Sequence, residues 1–295
     1  MFSPERSFKD WQLSGFGEAP AYLFETIEST HKLMKEQARA GLIEPGTLFV
    51  ADSQSNGHGR HERTWDSPAG KNLYFNILIP LDGIPANRFA QITQVTALTF
   101  ADVFIKVQEE AKVIAGKSAE TAANSDNIKS NTPKITVKWP NDILFGKSKF
   151  CGILAEVIFM KVPALNMGIG INVNSDPEDY AHLGREVTTL KKIVGCPINR
   201  EILLRMLIGN LERAIGQFKA FGISPWINAW RQMDKFIGAR GTIIVNNHCT
   251  DQNRDSGEGS VKKTGTILDM QPDGSLLFQC DDGKIETVLS ADLEI

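Results

Sequence analysis

The sequence predicts an α+β protein in two units, residues 1–236 and residues 237–295. Three observations carry that reading. A chain of 295 residues is longer than one typical compact unit and long enough to bury a sizeable core. As far as Trp230, stretches of period two alternate with stretches of helical period. Beyond Gly238 only short strand-like runs recur, at 242–245, 265–268, 276–279 and 285–289. Turn sequences such as Pro272-Asp273-Gly274 and Asp281-Asp282-Gly283 separate them, and a small barrel is the economical outcome.

Composition narrows the class. Hydrophobic residues make up 42% of the chain and charged ones 23%, as in a soluble globular protein. The net charge of −3, with no basic arm or stripe, argues against a nucleic-acid partner. Glu5, Arg6, Lys9 and Asp10 interrupt any signal-peptide core, and no apolar run approaches the roughly 18 residues of a membrane span. Cys151, Cys196, Cys249 and Cys280 show neither paired nor metal-type spacing. Reduced thiols and a cytoplasmic location are expected.

In chain order, residues 22–28 alternate as a strand and give way to Ser29 and Thr30, after which Leu33, Met34 and Ala38 mark one helical face and Gly41 a stop. A hydroxyl there caps the helix, worth about 1 kcal/mol, and the free amides behind it also favour an anionic or carbonyl ligand. Residues 47–54 and 73–80 read as strands, and 87–111 as a long helix with Phe89, Ile92, Val103 and Val107 inward. Residues 115–133 are small and polar throughout and read as a flexible insertion. Residues 135–138 resume a strand, and 143–145 pair with 150–157 across Gly146-Lys147-Ser148.

Along 165–174, Leu165, Met167, Ile169, Ile171 and Val173 share one face, and asparagines and glycines share the other. That second face is expected to lie bare, with Gly168 and Gly170 admitting a ligand or another backbone. Residues 200–221 form an amphipathic helix. Another starts at Ser224-Pro225, with Trp226 and Trp230 in the core, and 246–263 is expected to be a long loop.

The chemistry concentrates in 52–75, DSQSNGHGRHERTWDSPAGKNLYF, which holds three glycines, two arginines and a tryptophan between two strands. Gly57 and Gly59, flanking His58, permit positive φ and close approach to a ligand. Arg60 and Arg63 carry planar forks suited to phosphate or carboxylate oxygens, and Trp65 can stack on a base. The competing reading of such a loop taken alone is a mobile surface loop with solvated charges. Lys138 and Lys149 flank the hairpin and can converge on one pocket. Asp142 beside Asn141 offers hard oxygens for Mg²⁺, and the Asn172 amide suits an adenine edge. His58 and His61, with no third ligand at suitable spacing, read as solvated loop residues and not a metal site.

Together these motifs resemble the biotin protein ligases over most of the chain. The family's glycine-arginine loop is matched by 57–63, its KWPND by 138–142, its KxxGIL by 149–154 and its GINxN by 170–174. One position departs: Gly57-His58-Gly59-Arg60 stands where the family has Gly-Arg-Gly-Arg, which puts the affinity for the adenylate in question. The resemblance implies a mixed-sheet catalytic domain of the biotin/lipoate ligase type, like class II aminoacyl-tRNA synthetases, followed by an SH3-like domain. A strand that leads into Ser29 so early leaves no room for the winged helix of the bifunctional repressors, so a monofunctional ligase is expected.

The same resemblance implies a reaction and its residues. Biotin attacks the α-phosphate of ATP with Mg²⁺, and the resulting biotinyl-5′-AMP acylates a lysine of a biotin carboxyl carrier domain. Ser29, Thr30, His31, Gln54, Gly57, His58, Gly59, Arg60, Lys149 and Gly152 would bind biotin. ATP would fall to Arg60, Arg63, Trp65, Lys138, Asn141 and Asn172, and a metal contact to Asp142. Arg60, Arg63, Lys138 and Lys149 would stabilise the charge that develops. The enzyme would be a monomer or homodimer. The rivals are a lipoate or octanoate ligase of the same superfamily and a biotin- or adenylate-binding regulator without turnover.

Overall fold

The structure, a computed structural model, describes residues 1–60, 63–116, 134–184, 186–246, 260–289 and 291–295. His61, Cys249, most of the 115–133 insertion and the 247–259 part of the expected loop lie outside these residues. Seven strands form one mixed sheet: β1 (Ala21–Ile27), β2 (Leu48–Gln54), β3 (Leu73–Pro80), β4 (Ile135–Lys138), β5 (Asp142–Phe145), β6 (Ser148–Ile158) and β7 (Ala164–Ile171). Their order is β1-β2-β3-β7-β6-β5-β4, and only the β1–β2 pair is parallel. That pair is joined through α1 (Thr30–Arg39), as a parallel connection requires.

The two faces of the sheet are covered differently. Leu73, Phe75, Ile77 and Ile79 of β3 and Leu165, Met167, Ile169 and Ile171 of β7 pack into the main core with helices α2 (Gln91–Ile114) and α4 (Arg200–Phe221). On the opposite face Met34 and Ala38 of α1 meet Phe49, Leu78, Ile158 and Ala164 in a smaller cluster. Helix α1 covers only part of that face, and the uncovered part is where the candidate site residues gather. Two short helices, α3 (Leu190–Val194) and α5 (Ile227–Met233), complete the larger unit.

Five further strands, β8 (Arg240–Asn246), β9 (Ser260–Met270), β10 (Leu276–Cys280), β11 (Ile285–Val288) and β12 (Asp292–Glu294), make an antiparallel sheet of order β11-β10-β9-β8-β12. This is the small SH3-like part of the fold. Two expectations change here. Strand β9 begins at Ser260, inside the stretch read as loop, and the short β12 carries no alternation long enough to betray it. The sheet is sewn to the larger unit through its β9–β10 turn. Gln94 Nε2 donates to the Gly274 carbonyl at 2.6 Å and Trp139 Nε1 to the same oxygen at 3.1 Å.

The second face of β7 is not bare. Asn166 is fully buried and Asn172 is 5% exposed, because loops and α1 close over the strand's ends and both amides find partners. In the middle of that face Gly168 and Gly170 carry no side chains, and Asn76, His31 and Trp65 lie against them.

Candidate active site

Register explains the floor of the site. Lys138 pairs with Asp142, Asp142 with Gly152, Gly152 with Gly170 and Gly170 with Tyr74, so one row across five strands carries two glycines side by side. Missing side chains make a trough, and Trp65 lies in it. A Cβ on Gly170 would overlap the indole, and one on Gly152 would come within 2.9 Å of both the ring and Lys149. The KWPND turn is thereby split by function. Trp139 is core, while Lys138, Asn141 and Asp142 line a cavity of about 380 Å³ above the trough.

The glycine-arginine loop forms the roof. It folds back on itself: Gly59 N–H donates to the Arg63 carbonyl at 2.6 Å and Trp65 N–H to the Gly57 carbonyl at 2.8 Å. Neither Gly57 nor Gly59 adopts a positive φ, contrary to the sequence expectation. What Gly57 supplies is space, since a Cβ there would strike the Trp65 carbonyl and come within 2.7 Å of Ser67 Oγ. His58, Gly59, Arg60, Arg63 and Trp65 all line the cavity.

Charge collects at one end. Lys149 Nζ is 2.6 Å from Asp142 Oδ1 and lies over the Trp65 ring, 5.3 Å from its centroid. Burial depresses the pKa of Lys138, and the Lys149 and Arg63 charges add to the shift while Asp142 and Asp292 oppose it. Arg60 and Arg63 reach Asp292 of β12 at 3.4 and 3.2 Å. Nothing in the sequence announced Asp292 as a neighbour of this loop, because the two are joined only through the docking of the second sheet.

The other end is uncharged and rich in hydrogen bonds. Ser29 caps α1, accepting from Lys32 N–H at 3.4 Å, so the cap reading holds, and Ser29 also lines the cavity. Thr30, His31 and Gln54 line it too, together with Asn76, which sequence reasoning missed. A signal existed: Asn76 is the one amide in the otherwise apolar run LYFNILIP, and it is only 1% exposed. Burial lowers the His31 pKa to about 4, against an opposing pull from Glu156, so the ring is neutral.

Two expected residues are not on the cavity wall. Gly57 is buried at the base of the loop, against the Trp65 carbonyl and Ser67. Asn172 sits beyond Trp65, lining a small space on the other side of the ring, with Nδ2 3.4 Å from the Thr188 carbonyl. Trp65 Nε1 is buried without a hydrogen-bond partner among the described residues. The described residues contain no cluster of three or more His, Cys, Asp or Glu side chains able to cage a metal.

Residues 23–174, just over half of the chain, match the model of the biotin/lipoate A/B protein ligase family. The chain belongs to this family. Among curated relatives of this ligase, the bifunctional ligase/repressor BirA of Bacillus subtilis is 27% identical over 274 residues, covering 92% of this chain and 72% of that one. The biotin–[acetyl-CoA-carboxylase] ligase of Mycobacterium tuberculosis is 28% identical over 239 residues, covering 80% and 79%. Among solved structures, the biotin protein ligase from Aquifex aeolicus in complex with biotin and ATP superposes with a TM-score of 0.68 at 24% identity, over 93% of this chain and 97% of that one. At that identity the superposition establishes a shared fold. No helix among the described residues is long and apolar enough to cross a membrane.

Proposed function

We infer that this family member is a biotin–[biotin carboxyl-carrier protein] ligase, forming biotinyl-5′-AMP from biotin and ATP and passing the biotinyl group to a carrier lysine. The observation that carries this is the two-ended cavity. One end is neutral and hydrogen-bonding and the other is lined by five cations, Arg60, Arg63, Lys138, Lys147 and Lys149, against the three carboxylates of Asp142, Glu186 and Asp292, which suits an uncharged head group at one end and phosphates at the other. Relatives named as biotin ligases and a fold neighbour crystallised with biotin and ATP support the choice of substrates. Residues 1–236 then act as the catalytic domain and 237–295 as the SH3-like domain.

In the first half-reaction a biotin carboxylate oxygen attacks the α-phosphorus, and the bond to the bridging oxygen breaks with its electron pair leaving on pyrophosphate. Both partners are anions, so the barrier is largely electrostatic. Arg60, Arg63, Lys138 and Lys149 are positioned to offset it before the reaction starts. Trp65 would stack on the base, with Asn141 near the nucleotide, while Ser29, Thr30, His31 and Gln54 hold the head of biotin. Gly59, Gly152 and the backbone at His58 frame its tail. Mg²⁺ would arrive on the phosphates. The single carboxylate of Asp142, already paired with Lys149, fits an added contact to such an ion and not a standing metal site.

In the second half-reaction the neutral carrier amine attacks the acyl carbon, the bond to the phosphate oxygen breaks, and AMP departs as the amine sheds a proton. Acyl-adenylates hydrolyse readily, so the loop above Trp65 serves by keeping water out until the amine arrives. The test is incorporation of labelled biotin into a carrier domain in the presence of MgATP. Lys149→Ala and Arg60→Ala should each lower kcat by about 10²- to 10³-fold. Full activity in either variant, or labelling by lipoate in place of biotin, would overturn the reading.

A further inference from the structure

At the neutral end of the cavity a chain of amides has its direction fixed from both ends by backbone carbonyls, which can only accept. On one side the His31 carbonyl takes Asn166 Nδ2 at 3.0 Å, so Asn166 turns its Oδ1 toward Asn76. Asn76 must answer with Nδ2, at 2.7 Å, and the second proton of the same nitrogen points at His31 Nδ1, 3.0 Å from Nδ2. Its Oδ1 is therefore left facing the Thr30 hydroxyl, 2.7 Å away.

On the other side the Trp65 carbonyl takes the Ser67 hydroxyl at 3.0 Å, so Ser67 Oγ accepts from Gln54 Nε2, also at 3.0 Å. Gln54 Oε1 then faces Thr30, receiving its backbone N–H at 2.9 Å and lying 3.0 Å from its hydroxyl. Thr30 Oγ1 is bracketed by two amide oxygens, and its single proton goes to one or the other. All it can show the cavity is a lone pair. Ser29 beside it already accepts from a backbone N–H, so its own proton can point at a ligand. The inner end thus presents an acceptor next to a donor. Gly168 keeps room for this arrangement, because a Cβ there would come within 3.0 Å of Asn76 Nδ2 and 3.1 Å of His31 Nδ1.

We propose that Asn76 and Asn166 are specificity-determining positioning residues: together with Gln54 they hold Thr30 as an obligate acceptor, and so select an acid whose head group carries an N–H beside a carbonyl. This rests on the biotin reading above. A cyclic urea satisfies both hydroxyls. A dithiolane or an alkyl chain offers Thr30 no proton and strands a buried lone pair, which a site built for hydrogen bonding penalises.

The experiment measures dissociation constants of the full chain for biotin, desthiobiotin, lipoate and octanoate, in the wild type and in Asn76→Leu and Asn166→Leu. The variants should bind the two ureido acids ~10- to 100-fold more weakly, with octanoate and lipoate shifted by less than about threefold and the KM for ATP unmoved. Thr30→Val combined with Asn76→Leu should lose little more than either alone. Equal weakening of all four acids would mean a purely structural role and overturn the proposal, as would unchanged biotin binding. Should the variants fail to fold, biotin methylated at one or the other ureido nitrogen decides on the wild type. One isomer should bind at least ~30-fold more weakly, and indifference to both overturns the proposal. Wild type preferring octanoate or lipoate would instead sink the biotin reading itself.

Discussion

His31 shows how burial converts a surface-type residue into part of a polar interior. Its ring accepts from Asn76 at Nδ1, lies 3.5 Å from Glu156 at Nε2, and titrates near 4 instead of 6.5. The folded state then binds fewer protons than the unfolded chain between those two values. The associated stability is fully present above pH 6.5 and is lost as pH falls toward 4, by roughly 2–3 kcal/mol. Urea denaturation across that window should show the loss in the wild type and less of it in His31→Asn, which cannot titrate. Parallel profiles for the two proteins would contradict the assignment. The sequence marked His31 only by adjacency to Ser29 and Thr30. Its neutrality depends on β3 and β7 arriving beside it, through Asn76 and Gly168, against the pull of Glu156 on β6.

At the scale of elements, strand β7 and the KWPND turn do the most. Alternation along 164–171 was legible, and so were the glycines, yet the reason for them is a ring from another part of the chain. Gly170→Ala would force the Trp65 indole off the trough, because the flanking backbone of Trp65 is held by Gly57 and by Ser67. If Trp65 stacks on the base as proposed, the KM for ATP is expected to rise about tenfold, while the affinity for biotin, which the proposed function puts at the far end, changes little. Steady-state kinetics with each substrate varied in turn separates the two effects. Unchanged ATP dependence would remove Trp65 from the nucleotide site. Trp139, read as part of the same motif, is instead a core residue whose indole holds the β9–β10 turn.

For the whole molecule, the second sheet is part of the machine and not an appendage. Its Ile243, Ile267, Phe278 and Leu293 belong to the same hydrophobic core as the helices α2 and α4. Its Asp292, with an 11% exposed side chain, holds Arg60 and Arg63 of the roof loop. Both arginines are trypsin sites. Asp292→Ala should therefore speed cleavage after Arg60 and Arg63 several-fold, and biotin with ATP should restore protection if phosphates replace the carboxylate as partner. Cleavage at the wild-type rate in the variant would show that Asp292 does not restrain the loop.

By itself the sequence determined most of the elements, the two-unit order and the ligase resemblance. Those depend on periodicity, turn chemistry and short contiguous motifs, which are local. Only the tertiary structure decided that the Thr30 hydroxyl lies between two amide oxygens, that Asn76 joins the site, that Asn172 stands behind Trp65, and that Asp292 of the last strand reaches the glycine-arginine loop. Each of these is a relation between residues far apart in the chain, fixed when sheet register and the docking of one sheet on the other bring donor to acceptor.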